Sequence, residues 1–439
     1  MNIFGLRKEE KPFETRVPVV PIHVAKLVSE RKLDFLVEPS DQRAFSHEEF
    51  LEANAQIEEL HGSEASIILG VKEMPNDFFE RDKVYLFFSH TIKGQDYNMP
   101  MLQKIIDSGS TLIDYECVVD DSGRRLIYFG NWAGFAGMSD TLRVLGKRLE
   151  YECLEPNPFK GMKTTLECRT LERLKDEFVS LGERISSLGL PDLLRPLVVG
   201  FAGYGNVSKG AQELFDILPH VRIEPDQLLD LESDNENVLY KCVFKEEHMV
   251  EPIDETAEFD LSHYYQFGSK KYRGVFERYI PHLTVLMNCI YWTDEYPRLV
   301  STDFIQQHWN NTSRKLRVVG DISCDVEGAI EFTVITTKPD KPAFTYLIDE
   351  TKSKIGISGN GPVVMAVDNL PCELPRESST SFSNSLLRFI PTLAETNFLT
   401  ESFDQLVLCR ELKDAIIVYR GELTPQYEYL KEYLRTEEN

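Results

Sequence analysis

The sequence predicts an α/β fold with parallel sheets, built as two domains of which one is inserted into the other. Three observations carry this. The first third alternates short, continuously apolar runs with helical stretches, a glycine-rich turn between a strand and a helix stands in mid-chain at Leu197–Leu218, and the tail reads as helices. Runs that are apolar throughout suit strands covered on both faces, as parallel strands are. The 439 residues suffice for two domains of ordinary size. The expected boundaries are 1–140 with 375–439 for one domain and 141–374 for the insertion.

Taken in order, Val17–Val20 is the first strand candidate, and Pro21–Arg31 follows as a helix with Val24, Leu27 and Val28 at helical spacing. Further strands are expected at Phe35–Val37, Ser66–Val71, Val84–Ser89 and Thr111–Tyr115. Asn131–Gly137 is small and glycine-rich, and the long helical region that follows, from Met138 to about Leu154, reads as a connector between domains. A helix over Leu171–Ser187 carries Leu174, Phe178, Leu181 and Ile185 on one face, and Gly189-Leu190-Pro191 ends it. Leu197–Gly200 is a short buried strand that enters the glycine turn, and Val221–Ile223 is the strand after the following helix. Glu232–Glu236 is an acidic loop. Val285–Tyr291, Arg317–Asp321, Ala343–Ile348 and Val363–Val367 are later strands, with a turn region at Gly356–Pro362. Helices at Ser381–Leu393 and Gln426–Arg435 complete the tail.

Composition narrows the function. A net charge of -24 repels nucleic acid and anionic membrane, so neither is an expected partner. The start, MNIFGLRKEEKPFETR, has no apolar h-region, and no run of roughly 18 apolar residues occurs. The eight cysteines are scattered singly and the nine histidines are dispersed. They read as residues of a reducing, cytoplasmic protein with no metal site.

The mid-chain passage Phe201-Ala202-Gly203-Tyr204-Gly205-Asn206-Val207-Ser208 is a dinucleotide fingerprint in outline. Gly203 allows the tight turn and Gly205 lets the backbone approach a pyrophosphate. Asn206 and Val207 open the helix, whose free N–H groups and dipole favour phosphate. Ser208 stands where the third glycine usually falls and is small enough for close helix packing. Glu224 lies about twenty residues on, where an acidic residue takes the ribose 2′-hydroxyl. A carboxylate there favours NAD(H), whereas neighbouring Arg222 would suit a 2′-phosphate.

Polar residues follow several apolar runs of the first third. Val71 leads into Lys72-Glu73, Ser89 into His90, and Tyr115 into Glu116; Arg16 precedes the first run and Arg125 follows the last. Ligands gather at the carboxyl ends of parallel strands, so these groups are candidates for one acid–base site flanked by arginines. Read singly, each is first of all a surface charge at a strand end; it is their grouping that suggests a site.

Longer motifs add a resemblance. RVPVVPIHV (Arg16–Val24), GVKEMP (Gly70–Pro75), FFSHTIKGQDYNM (Phe87–Met99), LIDYE (Leu112–Glu116), FGNWAGFAGM (Phe129–Met138), GYGNVSKGAQELF (Gly203–Phe215), MNCIYW (Met287–Trp292), GDISCDVEGAIEF (Gly320–Phe332) and VDNLPCELPRESS (Val367–Ser379) resemble the lysine–2-oxoglutarate reductases, in order along nearly the whole chain. The pattern is more distantly similar to lysine-forming saccharopine dehydrogenase, alanine dehydrogenase and transhydrogenase. The resemblance implies two Rossmann-like domains with an interdomain cleft, the nucleotide-binding domain inserted in the substrate domain. It implies reductive condensation of lysine with 2-oxoglutarate to saccharopine by NAD(P)H, with a lean to NADPH. By matching motif, Lys72 and His90 would be the acid–base residues, Glu73 and Glu116 would tune them, Arg16 and Arg125 would bind substrate carboxylates, and Asp321 would face the nicotinamide end. Many animal and plant members fuse a second dehydrogenase to this region. The sequence stops at Asn439, so it is expected to make saccharopine without oxidising it further. A homo-oligomer is compatible with all of this.

The chemistry suits the inventory. A neutral amine must attack the ketone, so a base removes a proton, and the carbinolamine oxygen leaves as water, so an acid supplies one. Arginine forks hold carboxylates in bidentate fashion. The same residues would serve another amino-acid dehydrogenase such as alanine dehydrogenase, and a non-catalytic nucleotide-binding relative is the third alternative.

Overall fold

The computed structural model describes residues 2–311 and 314–434. The chain divides into two compact units, 1–129 with 375–439, and 130–374. Among the described residues no helix is long and apolar enough to cross a membrane.

The first unit begins with six strands, β1 (Phe4–Leu6), β2 (Phe35–Val37), β3 (Gln56–Ile57), β4 (Ile67–Leu69), β5 (Val84–Phe87) and β6 (Thr111–Asp114). They pair in parallel in the spatial order β6-β5-β4-β1-β2-β3. The order reverses beside β1, and the loops leaving β1, β4, β5 and β6 therefore emerge along one edge, the place where such sheets bind ligands. The first strand is β1 and not Val17–Val20. That run is buried, but its N–H groups at Val17 and Val20 donate to the hydroxyls of Ser379 and Ser383 at 3.0 and 3.1 Å. Its backbone is satisfied by side chains of the helix Pro375–Leu387, so it needs no ladder.

The second unit opens with the helix Gly130–Tyr151, which starts ahead of the expected Met138 and absorbs the NWAGFAG stretch. The glycines are there for packing. A Cβ on Gly134 would lie 2.0 Å from the Val207 carbonyl oxygen, and one on Gly210 would lie 2.2 Å from that of Asn131. The unit boundary accordingly falls at Phe129/Gly130, ahead of residue 140. Ten strands follow: β7 (Val198–Ala202), β8 (His220–Ile223), β9 (Leu239–Phe244), β10 (Val250–Pro252), β11 (Tyr272–Gly274), β12 (Val285–Asn288), β13 (Val318–Asp321), β14 (Ala343–Leu347), β15 (Lys352–Ile355) and β16 (Val363–Met365). The main sheet has the order β15-β14-β16-β13-β12-β7-β9-β8, while β10 and β11 form a separate antiparallel pair. β14 and β15 run antiparallel, so the sheet is mostly rather than wholly parallel. Alternation along its strands feeds two cores, with Val199, Phe201 and Met287 on one face and Val198, Ala202 and Leu286 on the other.

The chain then returns to the first unit. Helices Pro375–Leu387 and Ile390–Glu395 replace the single helix expected over Ser381–Leu393. The tail is also not all helical, since β17 (Ile416–Tyr419) and β18 (Glu422–Leu423) add antiparallel strands beside β6. A 3-10 helix covers Pro425–Glu432, and Arg435 lies outside the described residues.

Candidate active site

Strand β4 ends at Leu69 and the chain continues through Gly70-Val71-Lys72-Glu73. This loop is fixed from the N-terminal segment, where the Glu9 carboxylate accepts the N–H of Val71 at 2.6 Å and of Lys72 at 3.0 Å. Burial and the neighbouring Glu14 push Glu9 up to about 8, against those two hydrogen bonds. From β5 the chain reaches His90, whose φ of 49° is in the left-handed region that non-glycine residues seldom adopt. This turn sets the imidazole Nδ1 at 2.6 Å from Glu73 Oε1. The other oxygen of Glu73 faces Lys11 Nζ at 3.0 Å.

These charges act against burial in opposite senses. Burial alone would raise the Glu73 carboxyl, but the hydrogen bond and charge of His90, with Lys11, hold it well below the carboxylate range. At Lys72, burial lowers the ammonium, and the positive charges of Arg16 and Lys11 lower it further, while Glu73 and Glu14 oppose them. The Lys72 ammonium has no hydrogen-bond or ion-pair partner among the described residues. The arrangement is an amine destabilised in its charged form, next in the chain to a carboxylate that orients an imidazole. An amine whose charged form is disfavoured by burial suits proton transfer.

Arg16 is fully buried, with its Nε donating to Glu14 Oε1 at 2.7 Å and its guanidinium 4.0 Å from the Phe129 ring centre. Arg125 is half-exposed and paired with Glu116. A buried residue that sequence reading passed over joins these loops. Asp114, the last residue of β6, accepts the Ser89 N–H at 3.0 Å through one oxygen and the Glu116 N–H at 2.7 Å through the other. Burial pushes its carboxyl up to about 6 in spite of those bonds. Asp114 thus ties the loop of His90 to that of Glu116. Glu9, Lys11 and Glu14 were also missed, since a charged start reads as a solvated surface. For Asp114 the available signal was a carboxylate closing the apolar run TLID.

In the second unit Gly203 takes φ 92° directly after β7, and its N–H donates to the Phe244 carbonyl at 2.9 Å. Gly205 caps the helix Asn206–Phe215, and a Cβ built on it would meet nothing within 4 Å. The backbone above the first turn of Asn206 and Val207 is thus open, which fits the approach of a pyrophosphate to free N–H groups. Ser208 is buried and accepts a hydrogen bond from Gln212 Nε2 at 2.8 Å. Asp321 ends β13 and is buried; it accepts from Asn288 Nδ2 at 2.8 Å, Thr333 Oγ1 at 2.6 Å and the Cys324 N–H at 3.1 Å. Glu224 follows β8, is exposed, and lies 3.5 Å from Arg222 Nε. Among the described residues no group of three or more His, Cys, Asp or Glu side chains could hold a metal.

Because the space above Gly205 is open, Gly205→Val should fold with unchanged Tm, while nucleotide affinity falls steeply as the side chain fills the pyrophosphate path. Fluorescence titration of the variant checks this, and wild-type affinity would remove the turn from the site.

Residues 5–136 match the family model described as the alanine dehydrogenase/PNT N-terminal domain, and residues 269–426 match its C-terminal domain. The chain is 37% identical over 441 residues to an alpha-aminoadipic semialdehyde synthase of Arabidopsis thaliana, covering 95% of this chain but 40% of that protein. It is 27% identical over 395 residues to a saccharopine dehydrogenase [NAD(+), L-lysine-forming] of Emericella nidulans, covering 88% of this chain and 90% of that one. Among solved structures, an L-alanine dehydrogenase superposes with TM-score 0.59 at 17% identity, over 98% of this chain and 99% of that chain. The last likeness defines the class, a two-domain Rossmann-type α/β fold. The chain belongs to the alanine dehydrogenase/PNT family, whose two domain models together take in most of it, and it is similar to alpha-aminoadipic semialdehyde synthases and lysine-forming saccharopine dehydrogenases. It spans less than half the length of the Arabidopsis relative.

Proposed function

We propose that this chain is a nicotinamide-dependent oxidoreductase acting on CH–NH groups, which condenses L-lysine with 2-oxoglutarate and reduces the product to saccharopine. The observation that carries the reading is the Lys72–Glu73–His90 group at the loops after β4 and β5, in a chain that also presents an open glycine turn on a second sheet. Lys72, its ammonium disfavoured by burial, takes the proton from the attacking amine. His90, oriented by Glu73, donates to the departing oxygen. Glu116 fixes the half-exposed Arg125, and Arg125 and Arg16 receive substrate carboxylates. Glu14 already occupies one edge of Arg16, so Arg16 acts on Lys72 through its charge as well.

The residues present fit a dinucleotide: Gly203, Gly205, Asn206, Val207 and Ser208 would hold its pyrophosphate, and Asp321, through the strand end it braces, would shape the pocket for the nicotinamide. The group, when bound, supplies hydride. NADPH is the proposed preference, following the resemblance to the reductases, and the cytoplasm is the proposed setting, in keeping with eight cysteines that form no disulfide. The test is NADPH and NADH oxidation with 2-oxoglutarate and a panel of amines. Turnover should require lysine and yield saccharopine by mass spectrometry. Turnover with ammonia in place of lysine would reject the reading.

A further inference from the structure

The adenosine end of the fingerprint is ordinarily read at the carboxyl end of the strand lying next to the glycine-turn strand. In this sheet that neighbour is not the next strand in sequence. β9 lies between β7 and β8, so β8 and the Glu224 that follows it stand one strand further out. Strands are spaced about 4.8 Å apart, which puts β8 roughly 10 Å from β7. The register places the substitute residue. Ala202, the last residue of β7, is opposite Phe244, the last of β9, and the Gly203 N–H bonds the Phe244 carbonyl. The residue leaving β9 beside the turn is therefore Lys245.

We infer that Lys245, and not Glu224, reads the 2′ position of the adenosine ribose, and that its ligand is a 2′-phosphate. This rests on the dinucleotide reading above and names the cofactor class it selects. The Lys245 side chain is 58% exposed, and its one ion pair among the described residues is a 3.6 Å surface contact with Glu247, which binds weakly enough to yield to a phosphate. The adjacent acid is already engaged. Glu246 Oε1 accepts the Tyr265 hydroxyl at 2.6 Å, and Glu246 also acts on Tyr204 of the glycine turn, whose hydroxyl is raised by burial and then by that carboxylate. Glu224 stands at the outer strand, where it makes a surface contact with Arg222 and starts the turn Pro225–Leu228.

Calorimetric titration of the full chain with 2′,5′-ADP, NADPH and NADH tests this. Lys245→Gln should weaken 2′,5′-ADP and NADPH by about ten- to a hundred-fold, as loss of a charge-assisted contact does, and leave NADH nearly unchanged. Lys245→Arg should keep most of the NADPH affinity. Glu224→Gln and Arg222→Gln should change neither nucleotide appreciably. Equal weakening of NADPH and NADH in Lys245→Gln, or the selective loss appearing in the Arg222 or Glu224 variant instead, would overturn the inference while the cofactor reading stands. Wild-type protein that binds none of the three would overturn both.

Discussion

Lys72→Met and His90→Gln are each expected to lower kcat by about a hundred- to ten-thousand-fold, the usual worth of a positioned acid or base. Nucleotide affinity should barely move, because both side chains belong to the first unit and the glycine turn to the second. The two groups handle one set of protons, so the double variant should lose less than the product of the single losses. The pH profile of kcat/KM carries further information. Burial and the charges of Arg16 and Lys11 lower Lys72, so its neutral form appears at lower pH than for an ordinary lysine. In Lys72→Met the limb that reports this group should vanish. In Glu73→Gln it should move to still lower pH, because the carboxylate that favours the ammonium is gone. Near wild-type turnover in both Lys72→Met and His90→Gln would mean that they are strand-end charges and nothing more.

How far the sequence exposes this site follows from the physics of each part. β4, β5, β6, β7 and β13 are continuous apolar runs, because strands covered on both faces have no polar side, and such runs are readable without contacts. The residues that leave them, Lys72, His90, Glu116 and Gly203, are readable for the same reason. What stays hidden is tertiary. Val17–Val20 resembles a strand until the hydroxyls of Ser379 and Ser383, more than three hundred residues away, are seen to satisfy its N–H groups. β9 escapes notice because Lys241 interrupts its apolar run; the buried ammonium is paired with Asp216 from the end of the helix Asn206–Phe215. Missing β9 puts Glu224 on the neighbouring strand, and only the sheet order reveals the extra strand between. Glu9 and Lys11 act through partners distant in sequence, as Asp114 does through Ser89, and no local pattern distinguishes them from solvated acids and bases.

The NWAGFAG stretch shows the same limit, and it leads to the second strong expectation. Glycines read locally mark a turn, yet Gly134 and Gly210 lie within two helices that touch backbone to backbone. Alanine at either position should be favoured by about 1 kcal/mol of helix propensity. Sterics oppose it. A methyl carbon 2.0 Å from the Val207 oxygen, or 2.2 Å from that of Asn131, is closer than any contact allows, and backbone cannot rotate away as a side chain would. The helices must part, at a net cost on the order of 3 kcal/mol, the upper range for overpacking. For a domain of this size that corresponds to a drop in Tm of roughly 6–12 °C. Scanning calorimetry of Gly210→Ala and Gly134→Ala measures it. The displaced helix carries Asn206, Val207 and Ser208, so nucleotide affinity should fall in the same variants. Gly205→Val separates the two effects, since its side chain enters open space and should cost affinity without stability. A Gly210→Ala protein that melts with the wild type would show that the two helices do not approach this closely, and the backbone geometry of the phosphate turn would lose its support.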